Sequence, residues 1–520
     1  MAEGPCPFAR TLIPVLAFHM NIILVLIDSV NRNALSPYGG TEYATPNMQA
    51  FVDRGAWRFD NHFTGSLPCM PARREMFSGT MNLQWRPWGP LEPFDLRLPK
   101  LLEKAGYSTG MVTDHYHYWE ESANGYIQGF QSAELVRGHE LDFWKPLLPD
   151  TDLPQWVHNV EKWRPGYGHR YYSNIAEFKD EKDYFSAKVM NGACDWLKAP
   201  KQDNPFFLQV ECFDVHEPFD VPEPYASMYG QGTDRDKYTL WPPYQNAASQ
   251  AEFLSTTSEE ELAYIRSQYG GKITMTDHWF GKLMQTMDDL KLWDDTIVIV
   301  TTDHGHDLGE RHGFGKQYPH FDSHANIPLL VWDPRHKADG RAVTGLTSTL
   351  DIFGTVLDAA GIDLPPGTHS GSVLPLMADG GLEGREAVLY GIFGNGLCCT
   401  DGEWTLIQPP DRSKPLFAYS SMVPTTIIAP DKPVDQGQFM PNVDIPQWKI
   451  PFTEDGPTDR RPLDSEPLLF NRVADPGQVQ NLVEERPDEL ARMRRLMRET
   501  LAGYGAPIEL FDRLGLSTLT

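Results

Sequence analysis

The sequence predicts an α/β fold, with a large, mostly parallel sheet flanked by helices and a smaller α+β subdomain at the C-terminal end. Three observations carry this. Continuous apolar, β-branched runs such as Asn21-Ile-Ile-Leu-Val-Leu-Ile27 have the pattern of strands buried on both faces. Helix-like and strand-like segments alternate along the chain. Several of the strand-like runs stop abruptly at a carboxylate or a histidine, the place where open parallel sheets bind ligands.

Taken in order, the first strand runs over Asn21–Ile27 and ends at Asp28. Thr45-Pro46 starts a helix that closes at Gly55, and residues 99–105 form another that closes at Gly106. Residues 107–113 read as the next strand, followed by Asp114-His115-Tyr116-His117. The segment 140–175 is rich in Pro, Trp and Tyr without clear periodicity, and is expected to form a pocket wall or binding loop. Residues 206–213 make a strand that ends in Asp214-Val-His216-Glu-Pro218. A helix is expected over 273–290 from its apolar spacing, leading into the strand Thr296–Thr301 and then Thr302-Asp303-His304-Gly305. Near the end, residues 487–502 place Leu490, Met493 and Met497 on one helical face, suited to docking on a small sheet. The domain boundary is expected at 385/386, giving a catalytic domain over 20–385 and a C-terminal subdomain over 386–520.

Composition narrows the classes of function. With 520 residues and 41% hydrophobic content the chain can bury a large core. A net charge of −26 with no basic block excludes general attraction to nucleic acid or an anionic membrane, so an anionic substrate must be captured locally. No apolar stretch approaches the roughly 20 residues that span a bilayer. The six cysteines, Cys6, Cys69, Cys194, Cys212, Cys398 and Cys399, have neither zinc spacing nor a disulfide pattern, which points to a reducing compartment and a cytoplasmic location. The run 12–18 lacks the flanks of a signal peptide, and Met20 is a candidate natural start. The apolar tail 510–519 is the segment expected to reach a neighbouring subunit in a homo-oligomer.

The polar strand ends can converge on one site, and Cys69 is its expected centre. In Ser66-Leu-Pro-Cys69-Met-Pro71-Ala-Arg73-Arg74 the cysteine sits at the start of good helix-forming sequence, where free backbone N–H groups favour an anion. Arg73, one turn on, could aim a fork of donors at the same place. A buried structural cysteine is the reading these letters also allow. Asp28, Asp303 and His304 offer two carboxylates and an imidazole suited to a divalent cation, against the alternative that the aspartates only cap helices.

Cys69-x-Pro71-x-Arg73 resembles the signature of type I sulfatases, in which a maturation enzyme oxidises the cysteine to formylglycine. Asp303-His304-Gly305 is similar to the metal-binding motif that sulfatases share with the wider alkaline-phosphatase superfamily. Lys316 in Gly313-Phe-Gly-Lys316 and His216 in Asp214-x-His216-x-Pro218 match two further positions of that family. Ala44-Thr-Pro46-Asn47, Leu357-Asp-Ala-Ala-Gly361 and Leu469-Phe-Asn471 extend the resemblance over nearly the whole chain.

The resemblance implies an alkaline-phosphatase-like sandwich and hydrolysis of sulfate esters through formylglycine at position 69. Asp28, Asp303, His304 and residue 69 would hold one divalent cation, calcium by expectation, with manganese or magnesium as alternatives. Arg73 and Lys316 would neutralise charge on the transferred group, and His216 would act as general acid. The partners implied are a small anionic ester and the formylglycine-generating enzyme. The sequence leaves the sulfatase pattern at Ser29, Asn31 and Asn33, and at Thr113-Asp114-His115-Tyr116, where a family lysine is missing. His115 could supply that contact, with His117 as an equal candidate. The resemblance implies that phosphonate monoester hydrolases also lack that lysine and have only one aspartate after the first strand, so a phosphonate monoester or phosphodiester hydrolase is the alternative. A silent ligand-binding protein with unmodified Cys69 is the alternative from another class.

Overall fold

The computed structural model describes residues 20–517 apart from 121–124, 201–202, 231–234, 244–246, 311–312, 317, 379–383, 423–432 and 453–465. Cys6 and the run 12–18 lie outside the described residues.

The alternating sides of the first strand each have a core of their own. Ile23, Val25 and Ile27 pack with residues of the helices Phe185–Lys198 and Glu259–Leu290. Ile22, Leu24 and Leu26 pack on the opposite face with Met70, Met76 and Phe77, and with Ile352, Phe353 and Val356 of the helix Asp351–Ala359. Each such side chain contributes about 1.5–3 kcal/mol by leaving water, and burial on both faces is why the run is apolar without alternation.

The strand lies inside an eight-stranded sheet, between Thr296–Thr301 and Phe206–Cys212, with Ser108–Thr113 and Ser132–Leu135 beyond the latter. All four of these pairings are parallel. On the other side Leu329–Trp332 enters antiparallel, followed by Trp57–Phe59 and Ala342–Val343. The register aligns Ile27 with Cys212, Leu26 with Thr301 and Thr113 with Glu211. The carboxyl ends of the four site strands therefore finish level with one another. Asp303 and His304, Asp28, Asp214 and His216, and Asp114 and His115 line one edge of the sheet.

A second, five-stranded sheet holds Leu468–Asn471, Trp404–Gln408, Leu397–Thr400, Val388–Ile392 and, at its edge, Ser66–Leu67. Cys398 and Cys399 are buried on one of these strands as apolar residues. The helix Pro487–Gly503 docks on this sheet through Met493, Met497 and Leu501. The large mostly parallel sheet, its helical layers and the separate C-terminal sheet are those the sequence predicts.

Three elements differ from expectation. Within 140–175 the chain forms the helices Gln155–Trp163 and Tyr167–Ile175, which bury Trp156, Val157, Val160, Tyr171 and Ile175 in the main core. Their apolar faces are built largely from Trp and Tyr in short segments between prolines and glycines, so the helical period is hard to see. The helix expected at 273 begins at Glu259, where the Ser258 side chain accepts from the Glu261 N–H. Tyr264, Ile265, Gln268 and Tyr269 are all buried, polar and apolar alike, so the apolar spacing is hard to read in that half. The tail packs on its own chain: Ile508–Arg513 is a helix, and Phe511, Leu514 and Leu516 complete the C-terminal core, while 518–519 lie outside the described residues. No described helix is long and apolar enough to cross a membrane.

Candidate active site

The helix Cys69–Ser78 opens on the cysteine, as its sequence predicts, and is buried along its whole length. The strand Ser66–Leu67 pairs in parallel with Val388–Ile392, so the C-terminal sheet fixes the chain two residues before Cys69. Glu75, one face further along the helix, accepts the Ser66 N–H at 2.8 Å and also bonds the Ser66 hydroxyl. Helix and preceding strand are thereby locked together.

At the helix start, Cys69 Sγ lies 3.4 Å from His304 Nε2 and 3.2 Å from Lys316 Nζ. One ligand atom from each of Asp28, Cys69, Asp303 and His304 falls within 4.8 Å of the others, and all four residues are buried. Arg73 holds the carboxylates in place: Nη2 reaches Asp28 Oδ2 at 2.8 Å, Nη1 reaches Asp303 Oδ2 at 2.6 Å, and Nε reaches Glu211 Oε1 at 2.6 Å. Nη1 also donates to the Cys69 carbonyl at 3.0 Å. The fork expected to face an anion is thus spent on three carboxylates and the backbone of residue 69. Their free oxygens are steadied from the loop after the first strand, where Ser29 Oγ donates to Asp28 Oδ1 at 2.7 Å and Ser29 N–H to Asp303 Oδ1 at 3.2 Å.

The electrostatics follow from crowding. Burial and the charge of Asp303 push the Asp28 carboxyl up to about 8. Burial would raise Asp303 too, but His304, Arg73 and Lys316 outweigh it and hold that carboxyl well below the usual range. Burial, then the negative Asp28, pushes the Cys69 thiol far above its ordinary value. A cysteine here stays protonated and is a poor nucleophile. His304 Nδ1 lies 3.0 Å from the Gly305 carbonyl, which only accepts, so Nδ1 carries the hydrogen and Nε2 faces the cluster. That is the arrangement of a metal-ligating imidazole. Two carboxylates, a neutral imidazole and residue 69 fit a divalent cation, whose charge would relieve the Asp28–Asp303 repulsion.

The remaining predicted residues are divided by the structure. His115 Nε2 stands 3.6 Å from Asp28 Oδ2, fully buried, whereas His117 pairs with Glu120 at 2.7 Å on the wall of the site. His216 stacks on Phe213 at 4.3 Å, and Phe213 packs in one apolar cluster with Cys69 and Tyr116, flanked by Trp88 and Trp119. Asp114 and Asp214 are structural: Asp114 accepts the Phe213 N–H at 2.6 Å, and Asp214 pairs with His139 and Lys272.

A family model described as Sulfatase matches residues 20–362. The chain belongs to the sulfatase family. This sulfatase is 28% identical over 395 residues to a choline-sulfatase of Rhizobium meliloti, covering 71% of this chain and 73% of that one. It is 25% identical over 405 residues to the multifunctional alkaline phosphatase superfamily protein PehA of Trinickia caryophylli, covering 69% and 77%. Among solved structures, a phosphonate monoester hydrolase of Agrobacterium radiobacter superposes with a TM-score of 0.63 at 20% identity, covering 94% of this chain and 95% of that one. BT4656, solved with its substrate D-glucosamine-2-N,6-O-disulfate, superposes with a TM-score of 0.65 at 18% identity, covering 94% and 98%. These likenesses establish the alkaline-phosphatase-like fold. The family uses a metal ion and formylglycine, and the buried cluster of this sulfatase is suited to both.

Sequence reasoning missed Glu211, Glu217, Lys272 and His306. Glu211 had a signal, since a lone carboxylate inside the buried run Phe206–Cys212 needs a partner, and Arg73 is that partner. Lys272 sits on the long helix and donates to the carbonyls of His216 and Pro218 at 2.9 and 2.8 Å, a contact across 56 and 54 residues that no local pattern announces.

Proposed function

We propose that this sulfatase hydrolyses small sulfate esters through formylglycine formed at Cys69. The observation that carries the reading is the placement of Cys69 at a buried helix start, between Lys316, His304 and the Asp28–Asp303 pair, in surroundings that keep a thiol protonated and inert. An aldehyde hydrate supplies the oxygen nucleophile that the thiol cannot. When bound, the cation polarises the transferred group and its oxygen attacker; calcium fits the hard carboxylates, with manganese or magnesium as alternatives. Lys316 neutralises charge on the transferred group, Arg73 orients the carboxylates, His115 stands beside Asp28, and His216 protonates the leaving alcohol.

A second reading, phosphonate monoester or phosphodiester hydrolysis at the same site, is favoured by the buried His115 where sulfatases carry a lysine, and by the single Asp28 followed by Ser29. Steady-state comparison of an aryl sulfate with an aryl phosphonate monoester decides between them. Cys69→Ala should abolish turnover while circular dichroism stays native. A free thiol at residue 69 in active protein from the native host sinks the formylglycine reading, and an inert wild type supports the silent binding protein. The implied partner is a formylglycine-generating enzyme. Cys69, Cys194, Cys212, Cys398 and Cys399 are all free and buried, which supports a cytoplasmic location, testable by cell fractionation.

A further inference from the structure

We propose that Glu217 is a positioning residue for His216, holding the hydrogen on Nδ1 and favouring the charged imidazole so that Nε2 can protonate the departing alcohol. The proposal rests on the sulfate-ester reading with His216 as general acid. His216 Nδ1 lies 2.9 Å from the Glu217 backbone carbonyl and 3.2 Å from its Oε2. A carbonyl oxygen only accepts, so Nδ1 bears the hydrogen and Nε2 is left for chemistry. The ring is held from other sides as well: Phe213 stacks on it with planes 19° apart, and Lys272 pins the carbonyls of His216 and Pro218.

Glu217 itself is fully buried, and among the described residues neither carboxylate oxygen has a hydrogen-bond partner. Its Oε1 lies 3.3 Å from His306 Nε2, and that equally buried ring has no hydrogen bond on either nitrogen among the described residues. Burial pushes the Glu217 carboxyl up from its ordinary value, and the positive charges of Lys316, Arg164 and Lys272 oppose this and favour its charged form. Burying a carboxylate without bonded donors is costly for a purely structural role. The cost is offset when His216 is an imidazolium, because its charge then lies within 3.2 Å of Oε2. Burial and Lys316 disfavour that charged ring, so a carboxylate is needed to favour it. As the ester S–O bond breaks, its electron pair stays on the alcohol oxygen, which takes the Nε2 proton. His216 is left neutral, with its hydrogen still on Nδ1 and donated to the Glu217 carbonyl.

The test is Glu217→Gln assayed on an alkyl sulfate, whose alkoxide needs the proton, and on nitrophenyl sulfate, whose phenolate does not. The expected loss in kcat/KM is about 10²-fold on the alkyl ester, with the nitrophenyl loss smaller by about tenfold or more. Equal losses on both esters, or none on either, with wild-type turnover intact, overturn the proposal alone. A wild type that turns over neither ester while carrying the aldehyde at residue 69 removes the sulfate-ester reading and this proposal with it. Should Glu217→Gln fail to fold, Glu217→Asp, which withdraws the charge from Nδ1, must show the same selective loss on the alkyl ester, and equal losses there overturn it.

Discussion

Arg73 shows how much one side chain can decide in a buried site. Its guanidinium is fully enclosed and bonded to Asp28, Asp303, Glu211 and the Cys69 carbonyl, so it orders both proposed metal carboxylates and the backbone of residue 69 together. Removing one partner of such a network leaves buried charges uncompensated. Arg73→Ala should therefore cost about 3–5 kcal/mol in urea unfolding and abolish turnover. Arg73→Lys should not rescue it, because a single ammonium cannot present a planar fork to three carboxylates. Wild-type-like stability in either variant counts against this account.

At the scale of the element, the helix that carries Cys69 is positioned at both ends. Its start follows a strand borrowed by the C-terminal sheet, and its end is Gly79, with φ of 68°. A Cβ at Gly79 would stand 2.4 Å from Phe353 Cδ1, and Phe353 is a fully buried core residue. Gly79→Ala combines a left-handed backbone with overpacking. The expected loss is about 2–4 kcal/mol in thermal or urea unfolding, the backbone and packing costs added together. Turnover per folded molecule should fall as well, since displacement of this helix moves residue 69. A variant as stable and active as wild type would show that the helix end tolerates a shift.

At the scale of the whole molecule, a buried histidine, His62, and a half-buried one, His369, link stability to pH where the sheets and helices join. Burial lowers His62 to about 3, and burial with the Arg385 charge lowers His369 to about 4. His369 Nδ1 accepts the Met81 N–H at 3.0 Å, a bond that protonation destroys. The unfolded chain binds these protons near pH 6.5, the native protein only near or below 4. Their stabilising contribution is thus fully present above about pH 6.5 and lost as pH falls toward 4. Urea midpoints measured across that window should drop, and His369→Gln should flatten the slope; a midpoint constant from neutral to acid argues against the linkage. Cation binding acts on the same equilibrium. Saturating calcium should stabilise the fold by about 2.7 kcal/mol at a hundredfold excess over Kd and so raise the thermal midpoint, which a chelator should lower.

What the sequence determined by itself is the part governed by local pattern. Buried runs identified the parallel strands, and their abrupt polar ends identified Asp28, His115, His216, Asp303 and His304 as neighbours, because parallel strands in register must finish at the same edge. The motif around Cys69 identified the helix start. Only the tertiary structure decided what depends on contacts distant along the chain. Arg73 is bonded to three carboxylates, one of them Glu211, 138 residues away on the strand Phe206–Cys212. His115 and His117 separate because one ring falls beside Asp28 and the other beside Glu120. Periodicity records which side of an element is buried, but not which polar groups meet inside; that is set by strand order and helix placement, which bring Glu217 and His306 together across 89 residues of sequence.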